Sequence, residues 1–201
     1  MDTGGLFLIG LGPGDLALMS QRAINLLQDM DERYLEGYTA TLPIDQESKL
    51  ENLVGPWKRV MRPKIENPRE IIEEAKTRKV AIMVVGDPMQ ATTHVDLFLR
   101  AKENGVRVTI VPGISATTLA ISSSGMQSYR FGRQVTLPYA YGDYLPTSPL
   151  RYILDNRSRN LHTLVLLDLD PTGLGIEDPI HMSPPVAGQI LMQMAERWNE
   201  E

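Results

Sequence analysis

The sequence predicts an α/β fold: a parallel, doubly wound N-terminal sheet followed by a smaller, strand-poor α/β domain. Two runs carry this expectation, Leu6-Phe7-Leu8-Ile9 and Val80-Ala81-Ile82-Met83-Val84-Val85, both apolar without alternation. A strand with no polar face is one buried on both sides, as in the middle of a parallel sheet. Each run breaks into a glycine-led loop, Gly10-Leu11-Gly12-Pro13-Gly14-Asp15 after the first and Gly86-Asp87-Pro88-Met89-Gln90-Ala91-Thr92-Thr93-His94 after the second. Open α/β sheets hold ligands at the carboxyl ends of their strands, so the same two loops are the candidate site.

The remaining elements follow in order. Met19, Ala23, Leu26, Leu27 and Met30 recur at helical spacing, which predicts a helix over 16–30 with Asp15 as its N-cap. Arg33-Tyr34-Leu35 leads into a short second strand. A helix over 47–54 stops at Gly55-Pro56, and residues 58–62 suit a third strand. Asn67-Pro68 reads as N-cap and first turn of the next helix, whose buried face is Ile71, Ile72 and Ala75. After the strand at 80–85 comes a helix over 95–103, ended by Asn104-Gly105. A fifth strand over 106–111 leads to Pro112-Gly113-Ile114-Ser115 and a helix from 115. Strand and helix alternate throughout, which predicts a parallel sheet wound in both directions. Beyond about residue 132 strands are expected only at 135–138 and 163–167, with helices over 150–156 and from Ser183-Pro184-Pro185 onward. We place an N-terminal domain at 1–113 and a C-terminal domain at 114–201. Two strands and two helices are barely enough for a domain that stands alone.

Composition excludes several function classes. The 201 residues carry a net charge of −5, and Lys and Arg are scattered, which speaks against a nucleic-acid surface. There is no cysteine, so disulfides, thiolate metal sites and cysteine nucleophiles are out. His94, His162 and His181 lack metal-ligand spacing, so no metal is expected. No apolar stretch has the length of a signal segment or membrane span, and a cytoplasmic protein without membrane contact is expected.

The first loop departs from the dinucleotide fingerprint. Its glycines alternate, where that pattern needs G-x-G-x-x-G. Pro13 stands where backbone would approach a pyrophosphate, and Asp15 would repel phosphate at the helix start. Glu36, about 20 positions on, keeps a nicotinamide-dependent oxidoreductase as an alternative. In the second loop Asp87 suits an amino group or ribose hydroxyls, or simply caps the turn that Pro88 stiffens. His94 reads as a structural residue, and Asp168 and Asp170 as solvated side chains at a strand end.

Taken together these strings resemble the tetrapyrrole-methylase superfamily of methyltransferases, and within it the diphthine synthases. The resemblance runs through Leu8-Ile9-Gly10-Leu11-Gly12-Pro13-Gly14-Asp15, Tyr34-Leu35-Glu36-Gly37-Tyr38-Thr39, and Gly86-Asp87-Pro88 with Ala91-Thr92-Thr93-His94. It continues in Tyr129-Arg130-Phe131-Gly132 and Leu161-His162-Thr163-Leu164-Val165-Leu166-Leu167-Asp168. It implies the two-domain tetrapyrrole-methylase-like fold, with S-adenosyl-L-methionine as methyl donor between the domains. Carried over by motif, the cofactor contacts fall on Pro13, Asp87, Gln90, Ala116, Thr117 and Leu167; anchoring on Pro112-Gly113 instead shifts the fourth and fifth to Ser115 and Ala116. The implied activity is N-methylation of the modified histidine of elongation factor 2 in diphthamide biosynthesis, by a homodimer. The family extends beyond the position of Glu201, so a C-terminal domain incomplete relative to the family is expected, and a non-catalytic dimeric binding module is the alternative.

Overall fold

In the computed structural model, which describes residues 4–200, five strands of the first half lie parallel in one sheet. They are β1 (Gly5–Gly10), β2 (Glu32–Glu36), β3 (Lys58–Val60), β4 (Lys79–Val84) and β5 (Val108–Val111), in the spatial order β3-β2-β4-β1-β5. The two apolar runs are the central pair: Leu6 lies opposite Val80 and Ile9 opposite Met83. Side chains alternate across the pleat, so Leu6 and Leu8 join Val80, Ile82 and Val84 in one core, while Phe7 and Ile9 join Ala81 and Met83 in another.

Helices cover both faces. Ala23 and Leu27 of α1 (Gln21–Gln28) and Leu50 and Val54 of α2 (Ile44–Val54) pack on the Phe7 face. Ile65 of α3 (Arg62–Glu66), Ile71 and Ala75 of α4 (Arg69–Ala75) and Leu97 of α5 (His94–Glu103) pack on the Leu6 face. Chain leaving β1 therefore turns to one face and chain leaving β4 to the other. Those strands are neighbours, and their shared carboxyl end is a topological switch point.

Two helix starts differ from those the sequence predicts. The helix predicted over 16–30 is broken: Asp15 does cap, accepting from Ala17 N at 2.9 Å, but only a 3-10 turn, Leu16–Leu18. Met19 is extended, and Ser20 starts α1 by accepting from Ala23 N at 3.1 Å. Leu16, Met19, Ala23 and Leu27 are all buried, so apolar spacing runs across the break and hides it. Asn67 is not an N-cap. Pro63 sets the first turn of α3, and Asn67 closes that helix by donating its backbone N–H to Pro63 O at 3.0 Å.

The chain divides into two units, Met1–Ala116 and Thr117–Glu201; α6 (Ala116–Ser123) carries it from one to the other. In the second, β6 (Val135–Leu137) pairs in parallel with β7 (Val165–Leu167). α7 (Ser148–Ser158) and α8 (Pro184–Glu200) complete it, around a core of Leu137, Met182, Ala187, Ile190 and Met194. Asn156 is buried there with its amide spent on Arg133 O, Thr163 Oγ1 and Arg133 N. Asp170, expected in solvent, is also buried: it accepts from Thr172 N at 2.9 Å, from the Thr172 hydroxyl and from Gly175 N. A glycine-rich turn has amides to satisfy, and a short carboxylate at its start does so.

At the switch point three glycines meet. A Cβ on Gly10 would lie 2.5 Å from Gly113 N and 2.6 Å from Gly86 O, and one on Gly113 would overlap Gly86 O outright. Gly113→Ala should therefore cost roughly 3 kcal/mol or more. Gly105→Ala, at φ +75° but with nothing within 4 Å of the added Cβ, should cost only the left-handed backbone penalty of about 1 kcal/mol. Urea unfolding of the two variants measures the difference.

Candidate functional site

Three loops leave the carboxyl ends of β1, β4 and β5; backbone ties the first two, and the Asp87 side chain ties the second to the third. Gly12 and Gly86 form an antiparallel bridge, with Gly86 N donating to Gly12 O at 2.7 Å and Gly12 N to Gly86 O at 3.2 Å. Both have positive φ, +78° and +88°, a conformation that costs glycine nothing. The Gly86 Cα hydrogens face the third loop, where Ser115 Cα lies 4.0 Å from the position of an added Cβ.

Asp87 is the polar centre of this junction. Its Oδ1 accepts from Met89 N at 2.8 Å and its Oδ2 from Gly113 N at 3.1 Å. One carboxylate thus caps its own turn and ties the β4 loop to the β5 loop. A carboxylate has about four lone-pair sites, so these bonds leave it capacity for a ligand hydroxyl or a nearby cation.

The other expected contacts are placed as follows. Pro13 is half-buried, one residue beyond the Gly12 bridge, and Gln90 is exposed on the turn where its N–H donates to Asp87 O at 3.3 Å. The structure brings Pro13, Asp87 and Gln90 to the carboxyl end of the central strands β1 and β4. Ala116 opens α6 and is exposed, whereas Ser115 and Thr117 beside it are buried. Leu167 ends β7 in the second unit and is half-buried.

Glu36 has another job. Only 1% exposed, it accepts from Tyr38 N, from Thr39 N at 2.7 Å and from the Thr39 hydroxyl. Burial pushes its carboxyl above the usual carboxylate range, against the pull of these donors and of the Arg62 charge. A carboxylate committed to its own turn is not a ribose ligand, which removes the residue on which the nicotinamide reading rested. The turn delivers Tyr38, which sequence reasoning did not single out. Its ring is 4% exposed under the Arg62 guanidinium at 5.3 Å, and its hydroxyl lies 3.1 Å from Thr93 Oγ1. Ser115, in the Gly-Ile-Ser string that follows β5, is buried beside Gly86 at the same junction.

His94 opens α5 and is fully buried. Neither ring nitrogen has a hydrogen-bond partner among the described residues. Burial pushes the imidazole down to about 4, so it is neutral at pH 7. Among the described residues no cluster of three or more acidic or histidine side chains could hold a metal, and no helix is long and apolar enough to cross a membrane.

Residues 5–196 match the family described as Tetrapyrrole (Corrin/Porphyrin) Methylases. The chain is 39% identical over 198 residues to the diphthine synthase of Staphylothermus marinus, covering 96% of this chain and 71% of that one. It is 35% identical over 207 residues to the diphthine methyl ester synthase of Neurospora crassa, covering 97% and 71%. A crystal structure of diphthine synthase superposes with a TM-score of 0.82 at 32% identity, covering 96% of this chain and 72% of that one. Across such curated relatives the chain spans between 63% and 75% of their length.

The buried His94 imidazole makes stability depend on pH. Its folded pKa, about 4, lies below the ordinary 6.5. Between those values the unfolded chain binds the proton more tightly, so stability falls as pH drops from 6.5 to 4, by up to about 3 kcal/mol. Glu36, shifted upward, acts in the opposite sense, so the difference between proteins is the readout. His94→Phe should flatten the loss of melting temperature across that window; an unchanged slope would show that the imidazole is not buried neutral.

Proposed function

The chain belongs to the tetrapyrrole (corrin/porphyrin) methylase family and, within it, to the diphthine synthases, S-adenosylmethionine-dependent methyltransferases; from that premise we propose that it N-methylates the modified histidine of elongation factor 2. The observation that carries this reading is the tied junction of the β1, β4 and β5 loops. Its donor set fits the methyl donor. Asp87 is an anion held at the strand ends, suited to a sulfonium or ammonium charge and to ribose hydroxyls. Gly12 and Gly86 let a ligand approach the backbone closely.

S-adenosylmethionine supplies a methyl group already activated on sulfur. Transfer forms a C–N bond as the C–S bond breaks and disperses the positive charge, and the acceptor amine loses its proton to solvent. Such a reaction needs alignment and exclusion of water more than an acid–base pair, which suits a junction whose titratable groups are tied down. In this reading Pro13, Asp87 and Gln90 orient the donor from the first unit. Ala116, Thr117 and Leu167 are the further contacts, and the active form is a homodimer.

Calorimetry with S-adenosylhomocysteine tests this directly. The chain should bind it, and Asp87→Ala should weaken binding at least about tenfold at temperatures where the variant stays folded. Methyl transfer to elongation factor 2 bearing the unmethylated precursor should follow the same order. No binding at millimolar ligand would remove the methyltransferase reading and leave the dimeric binding module.

A further inference from the structure

The loop after β4 is under strain. Ala91 has φ +55°, a conformation that persists in a residue with a Cβ only where neighbours enforce it. Thr92 Oγ1 supplies one restraint, donating to Pro88 O at 2.8 Å. Thr93 supplies another in an unexpected way. It occupies the N-cap of α5, where a threonine hydroxyl ordinarily accepts from the first turn of the helix, yet it makes no side-chain cap bond. Its Oγ1 lies instead 3.1 Å from the hydroxyl of Tyr38, 55 residues earlier in the chain.

Tyr38 is the rigid side of that contact. Its backbone is fixed by Glu36, its ring is packed with Val60 and Ile65, and Arg62 covers it. At the start of α5, Thr92 Oγ1 accepts from His94 N at 3.4 Å in place of Thr93, and the Thr93 hydroxyl joins the β4 loop to the β2 loop. Local rules are broken in this way where a site depends on the result.

We propose that Tyr38 is a positioning residue for the methyl-donor site: through Thr93 it holds the strained 87–93 loop in the form that presents Asp87 and Gln90. The proposal rests on the reading of those loops as the S-adenosylmethionine site. Tyr38 does not touch the donor. It biases the loop toward one conformation, and its removal taxes donor affinity by the fraction of chains that lose it.

A double-mutant cycle read by calorimetry with S-adenosylhomocysteine tests this. Tyr38→Phe keeps the ring, and Thr93→Val keeps the shape of the cap residue. Each should weaken binding about threefold to tenfold, the worth of one hydrogen bond, and the double variant should be no weaker than the weaker single. Ala91→Gly in the Tyr38→Phe background should recover part of the loss, because glycine takes the positive φ without strain. Ile71→Val, a core change on α4, should lower the melting temperature and leave affinity unchanged. Additive losses, affinities within twofold of the unmodified chain, or an equal loss in Ile71→Val would overturn the proposal. If the unmodified chain binds nothing, both readings fall; if it binds and Tyr38→Phe binds equally well, only this one does.

Discussion

The structure depends on one close approach: the backbones of Gly10, Gly86 and Gly113 touch where three parallel strands end. No other residue fits there, because a Cβ on Gly10 or Gly113 would sit inside a neighbouring main chain. The contact leaves amides that need partners, and Asp87 satisfies two of them, one in its own turn and one across the junction. Sheet order puts this junction at the switch point, where β1 and β4 send their chains to opposite faces. The loops that hold the strands in register are therefore also the loops at the carboxyl ends of the strands, where open α/β sheets hold ligands.

A site built this way is mostly backbone. Asp87 is the buried carboxylate at the junction, and Glu36, His94 and Tyr38 around it are kept from acting. Glu36 is spent on its own turn. His94 is neutral because it is buried. Tyr38 is pushed up to about 12, chiefly by burial, and keeps its proton. Transfer of an activated methyl group draws its rate chiefly from positioning and exclusion of water rather than from an acid–base pair. Strain at Ala91 is consistent with the same logic. The loop is held in a shape it would not choose alone, which is how preorganisation is stored in a fold.

Much of this was legible in the sequence, and the reasons are specific. β1 and β4 are unmistakable because strands buried on both faces leave no polar positions. The two glycine-led loops stood out because they interrupt those runs abruptly. Asp15 was readable as a cap because caps are local. The break at Met19-Ser20 was not, since Leu16, Met19, Ala23 and Leu27 keep their spacing across it. Nor was α3, a single turn whose proline and charged residues carry little periodicity. The long-range tie from Asp87 to Gly113 and the contact of Tyr38 with Thr93 join residues 26 and 55 positions apart, and nothing local encodes them. Glu36 misled for the complementary reason: its position suggested a ligand, while its partners are two and three residues away.

The three-glycine junction is preformed. Native-state hydrogen exchange of the Gly86, Met89 and Gly113 amides, without ligand, tests it most directly. All three should exchange only through global unfolding, with the same free energy as the amides of β1 and β4. Exchange of these amides through a local opening, at a free energy well below that of the strands, would contradict it.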